Sequence, residues 1–96
     1  MAKGYIIVRM TVTDPEAYKE YAAMASEAMK LHGCKPLVRG GRSEALEGEA
    51  RPRNVVLEFE SYEAARAYYY SPEYQAAVAK RLLAGTGEVV LVEGVD

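Results

Sequence analysis

Two stretches of the chain alternate with a period of two and have unlike faces. From Tyr5 to Val12, one face carries Ile6, Val8, Met10 and Val12, and the other carries Tyr5, Ile7, Arg9 and Thr11. From Asn54 to Glu60, Val55, Leu57 and Phe59 lie opposite Val56, Glu58 and Glu60. Successive side chains point to opposite sides of a strand, so a wholly apolar face backed by a mixed one predicts a half-buried strand. The chain must therefore build a sheet that is packed on one side and exposes a partly apolar surface on the other.

The segments between these strands read as helices. Asp14 is placed to cap a helix whose first turn holds Pro15 and Glu16, because proline lacks only an amide that would go unbonded there and the acid suits the positive helix end. The helix is expected to run to about His32, with Tyr18, Tyr21, Ala22, Ala25, Met29 and His32 on its inner stripe, and to end at Gly33. Lys35 to Glu47 reads as extended, with a bulge or bend at Gly40 and Gly41, and Gly48 to Arg53 as a loop. Ser61 starts a second helix, which Ser71 and Pro72 restart with Tyr74, Ala77, Val78, Arg81 and Leu82 inward or at the margin. Gly85 to Gly87 is expected to close it before a last strand from Glu88 to Val95.

The resulting order, βαββαβ, predicts an α+β ferredoxin-like fold. In it a four-stranded antiparallel sheet carries both helices on one face and has the first and third strands at its centre. The length of 96 residues fits one domain, residues 1–96, with a single core. A chain of this mass buries only roughly 64% of its unfolded surface, so a partner covering the open sheet face would add appreciably to stability. A second copy related by a two-fold axis is the simplest such partner, and it would enclose a partly polar pocket.

A net charge of −2 with no basic patch argues against nucleic acid as a partner. Apolar runs such as Tyr5 to Met10 are too short to cross a bilayer, and the N-terminus lacks the apolar stretch of a signal peptide, so no membrane association and a cytoplasmic location are expected. Cys34 is the only cysteine and suits a reducing compartment. One His with one Cys is not a metal site, and the sequence calls for no cofactor.

Several motifs resemble the domain-of-unknown-function 1330 family. They are Glu58-Phe59-Glu60-Ser61-Tyr62-Glu63-Ala64-Ala65, then Tyr69, then Ser71-Pro72-Glu73-Tyr74-Gln75. Gly4-Tyr5, Thr13-Asp14-Pro15-Glu16-Ala17-Tyr18, His32-Gly33, Arg39-Gly40-Gly41 and Val92-Glu93-Gly94 extend the match over nearly the whole chain. Tyr68 and Tyr70 depart from the family's pattern, where tryptophan and a small polar residue are usual. The resemblance implies membership of the dimeric α/β barrel superfamily, in which two sheets pack face to face. That superfamily holds cofactor-free monooxygenases, lactone isomerases, haem-degrading enzymes and ligand-sensing domains, so it does not select a reaction.

Candidate site residues follow from charge and position. Glu58 and Arg9 share the uncovered face of adjacent strands, where they can form a cross-strand ion pair, or serve as a general base and the cation that holds an anionic substrate. Arg39 is a second candidate cation. His32, the only histidine, is a candidate acid/base group, although the last turn of a helix also favours it as a partner for the negative helix end. Tyr69 and Tyr74 offer aromatic walls with polar tips, and Arg81 reaches the same rim or faces water. Two functions fit. One is a cofactor-independent enzyme that moves a proton on a small acidic or aromatic metabolite, with Glu58 and His32 catalytic and Arg9, Arg39, Tyr69 and Tyr74 binding substrate. The other is a non-catalytic small-ligand-binding or stress-related homodimer.

Overall fold

The computed structural model describes residues 2–96. Its elements are β1 (Gly4–Val12), α1 (Pro15–Leu31), β2 (Lys35–Arg39), β3 (Arg53–Phe59), α2 (Tyr62–Tyr69), α3 (Pro72–Ala84) and β4 (Gly85–Glu93). The strands form one antiparallel sheet ordered β2-β3-β1-β4. The two strands with the clearest alternation are thus the central pair, and the fold is ferredoxin-like α+β.

Each helix begins where a short polar side chain meets its free amides. Asp14 accepts hydrogen bonds from the Glu16 and Ala17 amides, both at 3.2 Å. Ser61 accepts from Ala64 at 3.0 Å, and Ser71 accepts from Tyr74 at 3.2 Å. The buried Ser71 hydroxyl also donates to the Tyr68 carbonyl at 2.7 Å, which stitches the end of α2 to the start of α3. Gly33 has a φ of 65°, the left-handed geometry that ends α1 and that side chains with a Cβ resist.

The core lies between the helices and one face of the sheet. Ile6, Val8 and Met10 of β1 and Val55, Leu57 and Phe59 of β3 are buried against Tyr21, Ala25, Ala28 and Met29 of α1, Ala65 and Tyr68 of α2, and Tyr74 and Ala77 of α3. Four of these aromatic rings form a chain: Phe59 and Tyr68 have centroids 4.9 Å apart, Tyr68 and Tyr74 4.7 Å, and Tyr74 and Tyr21 6.1 Å. The molecule is a slab of 37 × 33 × 17 Å, one sheet and one helix layer thick.

Three details differ from the sequence reading. The extended stretch from Lys35 is a strand only as far as Arg39, and its bulge falls at Pro36–Val38, ahead of the glycines. Pro36 has no amide hydrogen for the ladder, which makes it a natural place for the pairing to slip. Gly85 to Gly87 does not form a closing turn, because β4 begins at Gly85 immediately after α3. The last α3 carbonyl, on Ala84, is instead satisfied by the Thr13 and Asp14 amides at 2.8 and 3.0 Å. A Cβ at Gly85 would stand 2.0 Å from the Thr11 carbonyl oxygen, so this glycine serves close approach of two backbones rather than reversal. Leu82 points to solvent, one helical step beyond the buried Arg81.

Candidate functional site

The open face of the sheet is organised in rows across the strands. Register places Val90 of β4, Ile7 of β1, Val56 of β3 and Val38 of β2 side by side, so an apolar row crosses the full sheet. On one side of it runs Val92, Tyr5, Glu58 and Lys35, and on the other Glu88, Arg9 and Asn54. No helix of the protomer covers these side chains, and Val90 is 52% exposed; the loop ahead of β3 borders only the last row, where the Asn54 side chain donates to the Arg51 carbonyl at 3.2 Å.

The expected cross-strand pair of Arg9 with Glu58 does not form. Arg9 is opposite Asn54, and Glu58 is opposite Tyr5, four residues away along β1. That offset is about 13 Å of strand with the apolar row in between. Glu58 accepts a hydrogen bond from the Tyr5 hydroxyl at 3.1 Å, and this acceptor raises the Tyr5 phenol above its ordinary pKa. Among the described residues Arg9 has neither a hydrogen-bond nor an ion-pair partner. Its neighbour Glu88 is held by Arg51, whose Nε donates at 2.8 Å and whose Nη2 donates at 2.7 Å. These bonds put the Glu88 carboxyl below the usual carboxylate range. Arg51 also donates to the hydroxyls of Thr11 at 2.9 Å and Thr86 at 3.1 Å, so a loop residue ties β1 to β4.

On the helix side, a groove of about 310 Å³ lies between α2 and β4. Its apolar lining is Ile6, Val89 and Leu91, and its rim is Tyr62, Arg66, Tyr69 and Tyr70. The α2 helix is short and leaves this part of β4 partly uncovered. The Arg66 guanidinium lies 4.9 Å from the Tyr70 ring centre, and Tyr70 meets Tyr69 edge-on at 5.0 Å. The lining combines aromatic faces, phenolic hydroxyls and one fixed positive charge, with no carboxylate or histidine.

The six candidate residues are therefore spread over five places. Glu58 and Arg9 are on the open face, in different rows. His32 caps the end of α1, with Nε2 3.2 Å from a Glu73 carboxylate oxygen and its ring edge-on to Tyr68 at 5.8 Å. It joins the end of α1 to the first turn of α3, and it meets neither Glu58 nor the groove. Arg39 lies on the helix side of β2 and donates to the Ser26 hydroxyl of α1. Tyr69 lines the groove. Tyr74 does not, being 1% exposed with its hydroxyl 2.8 Å from that of Tyr21.

Sequence reasoning missed Arg66 and Tyr62 as groove residues, although their spacing from Tyr69 and Tyr70 on one short helix marks a shared surface. It left open whether Arg81 turns inward; the residue is buried, 8% exposed, and has an Nη1 with no hydrogen-bond partner. Burial raises the phenols of Tyr21, Tyr68 and Tyr74, and the positive charge of Arg81 partly opposes this in all three. Cys34 is half-buried, which pushes its thiol up to about 11. Among the described residues, no group of three or more His, Cys, Asp and Glu side chains could hold a metal ion. Among the described residues, no helix is long and apolar enough to cross a membrane.

An antiparallel sheet ordered β2-β3-β1-β4, one helix layer and an aromatic groove define a ferredoxin-like α+β protein with an uncovered sheet face. The sequence matches the family described as "Domain of unknown function (DUF1330)" over residues 3–95, and the chain belongs to that family. No curated protein sequence matches it. Among solved structures, a protein of unknown function from Rhodopseudomonas palustris is similar with a TM-score of 0.78 and 17% identity, over 99% of this chain and 84% of the other. A dimeric ferredoxin-like protein of unknown function from Jannaschia sp. is similar with a TM-score of 0.69 and 17% identity, over 98% and 99%. SnoaB from Streptomyces nogalater, described as a cofactor-independent oxygenase, has a TM-score of 0.62 and 14% identity, over 100% and 96%. At these identities the likeness is one of fold.

Proposed function

We propose that this protein is a homodimer, joined open sheet face to open sheet face, in which each protomer binds a small aromatic anion in the groove between α2 and β4. The observation that carries the ligand class is the lining of that groove. Tyr62, Tyr69 and Tyr70 offer flat apolar faces to a ring and hydroxyls to its polar substituents, while Arg66 offers a guanidinium to a carboxylate. A volume of about 310 Å³ suits a single-ring compound.

Area supports the dimer. The protomer exposes 6212 Å², whereas a monomer of this mass exposes roughly 5,500 Å². The difference is close to the area of about 800 Å² that each partner contributes to a standard interface. The open face and the exposed segment 41–50 share this excess. The description of similar structures as dimeric agrees with the reading.

Binding is favoured over proton transfer because neither Glu58 nor His32 reaches the groove. The test is a titration with 4-hydroxybenzoate followed by thermal melting and calorimetry. Saturating ligand should raise the melting temperature by a few degrees, and Arg66→Ala with Tyr69→Ala should remove the shift, measured against the variant's own unliganded melt, which loss of the packed Tyr69 ring lowers. A shift that survives both substitutions would overturn the groove as the site. Consumption of a ring compound by the wild type, lost in Glu58→Gln or His32→Ala, would instead favour the cofactor-independent enzyme.

A further inference from the structure

Arg9 and Glu58 are the charges on the two central strands of the open face that make no salt bridge among the described residues, with Glu88 of β4 beside Arg9 and Lys35 of β2 beside Glu58. They sit in the rows on either side of the apolar Val90-Ile7-Val56-Val38 row. Packing a second copy on this face would remove both from water, and a buried charge without a partner is strongly destabilising. The dimer is therefore constrained in how its copies are oriented, not only in which faces meet.

A two-fold axis lying between the sheets has two simple settings. Along the strands, it brings each row against its own copy, so that Arg9 approaches Arg9 and Glu58 approaches Glu58. Across the strands, along the apolar row, it packs that row against itself and exchanges the two flanking rows. Arg9 of one protomer then lies over Tyr5 of the other, beside the Glu58 carboxylate that takes the Tyr5 hydroxyl at 3.1 Å. For Arg9 and Glu58, only the second setting joins opposite charges.

We infer that the two-fold axis runs across the strands along the apolar row, and that Arg9 and Glu58 form an ion pair between protomers, made twice per dimer. The inference rests on the proposed open-face dimer and adds its orientation and the residues that fix it. The competing carboxylate, Glu88, is engaged by Arg51, so Glu58 is the acceptor left for Arg9. A charge pair of this kind selects one orientation and rejects the other by like-charge contact.

The test uses the full chain and two charge reversals, Arg9→Glu and Glu58→Arg, in sedimentation across a dilution series. Each reversal alone puts like charges together twice per dimer and should raise the dissociation constant by about 100-fold or more. An equimolar mixture of the two variants can form a heterodimer in which both pairs are again opposite, and its affinity should return close to that of the wild type. A contact within one chain cannot be repaired by mixing. A wild-type dimer with both reversals folded and no rescue on mixing would overturn the inference while leaving the dimer standing. A wild type that stays monomeric throughout would overturn the dimer itself. If circular dichroism shows that a reversal does not fold, Arg9→Gln and Glu58→Gln replace them in a double-mutant cycle, where coupling supports the pair and additivity overturns it.

Discussion

The two faces of the sheet are built from the same strands with the same alternation, yet they are in different physical states. Ile6, Val8 and Met10 face the helices and are almost completely buried, while Tyr5, Ile7 and Arg9 between them are only partly covered. The helix side mixes aliphatic residues with a chain of rings. The open side has one apolar row with charges on both flanks. Packing determines the fold on the first face, whereas on the second it determines what the fold can meet.

The largest effect expected from breaking this contrast comes from paired truncations in β3. Phe59→Ala should cost about 3–5 kcal/mol of folding stability in denaturant melts, because the lost ring leaves a cavity beside Tyr68. Val56→Ala, three residues away on the open face, should change the stability of the isolated protomer by about 0.5 kcal/mol or less. Equal losses would show that the open face is already packed.

Alkaline titration gives an intermediate effect. The phenols of Tyr21, Tyr68 and Tyr74 are raised above the ordinary value of 10.0, chiefly by burial. Their neutral forms favour folding fully below that ordinary value, and the contribution is lost as pH rises beyond it and the unfolded chain ionises. Absorbance near the phenolate band should therefore show these three tyrosines titrating only with unfolding. A smooth titration of all eight without unfolding would contradict the buried network.

The smallest effect concerns Cys34, packed at the margin of the helix-side core. With its thiol pushed up to about 11, little of it is thiolate at neutral pH, and a disulfide reagent should label it more slowly than a free thiol does. Rapid labelling in the native state would place it nearer the open edge.

The helix-covered face was legible because alternation is a local property: Val8, Met10, Leu57 and Phe59 can be assigned from their own strands alone. The caps at Asp14, Ser61 and Ser71 were legible for the same reason. Register was not, since sliding β3 along β1 in steps of two keeps every apolar residue on its face and changes only who is opposite whom. That freedom is why Arg9 and Glu58 were placed on one surface correctly but paired incorrectly. Tyr74 and Tyr69 were hard to tell apart because the chain restarts its helix at Ser71-Pro72, and the phase of one segment does not carry into the next. Arg81 was read as marginal because arginine is almost never fully buried without a partner.

The long connection from β2 to β3 bears on chain continuity. Every residue from 41 to 50 is exposed, and the structure resumes at Arg51, pinned to Thr11, Thr86 and Glu88. A break within 41–50 would leave β1, α1 and β2 on one fragment and β3 to β4 on the other. Each fragment would hold one of the two central strands. The pieces would share one sheet and one core, with neither able to complete them alone, so this connection is the natural place to split the molecule into halves that reassemble.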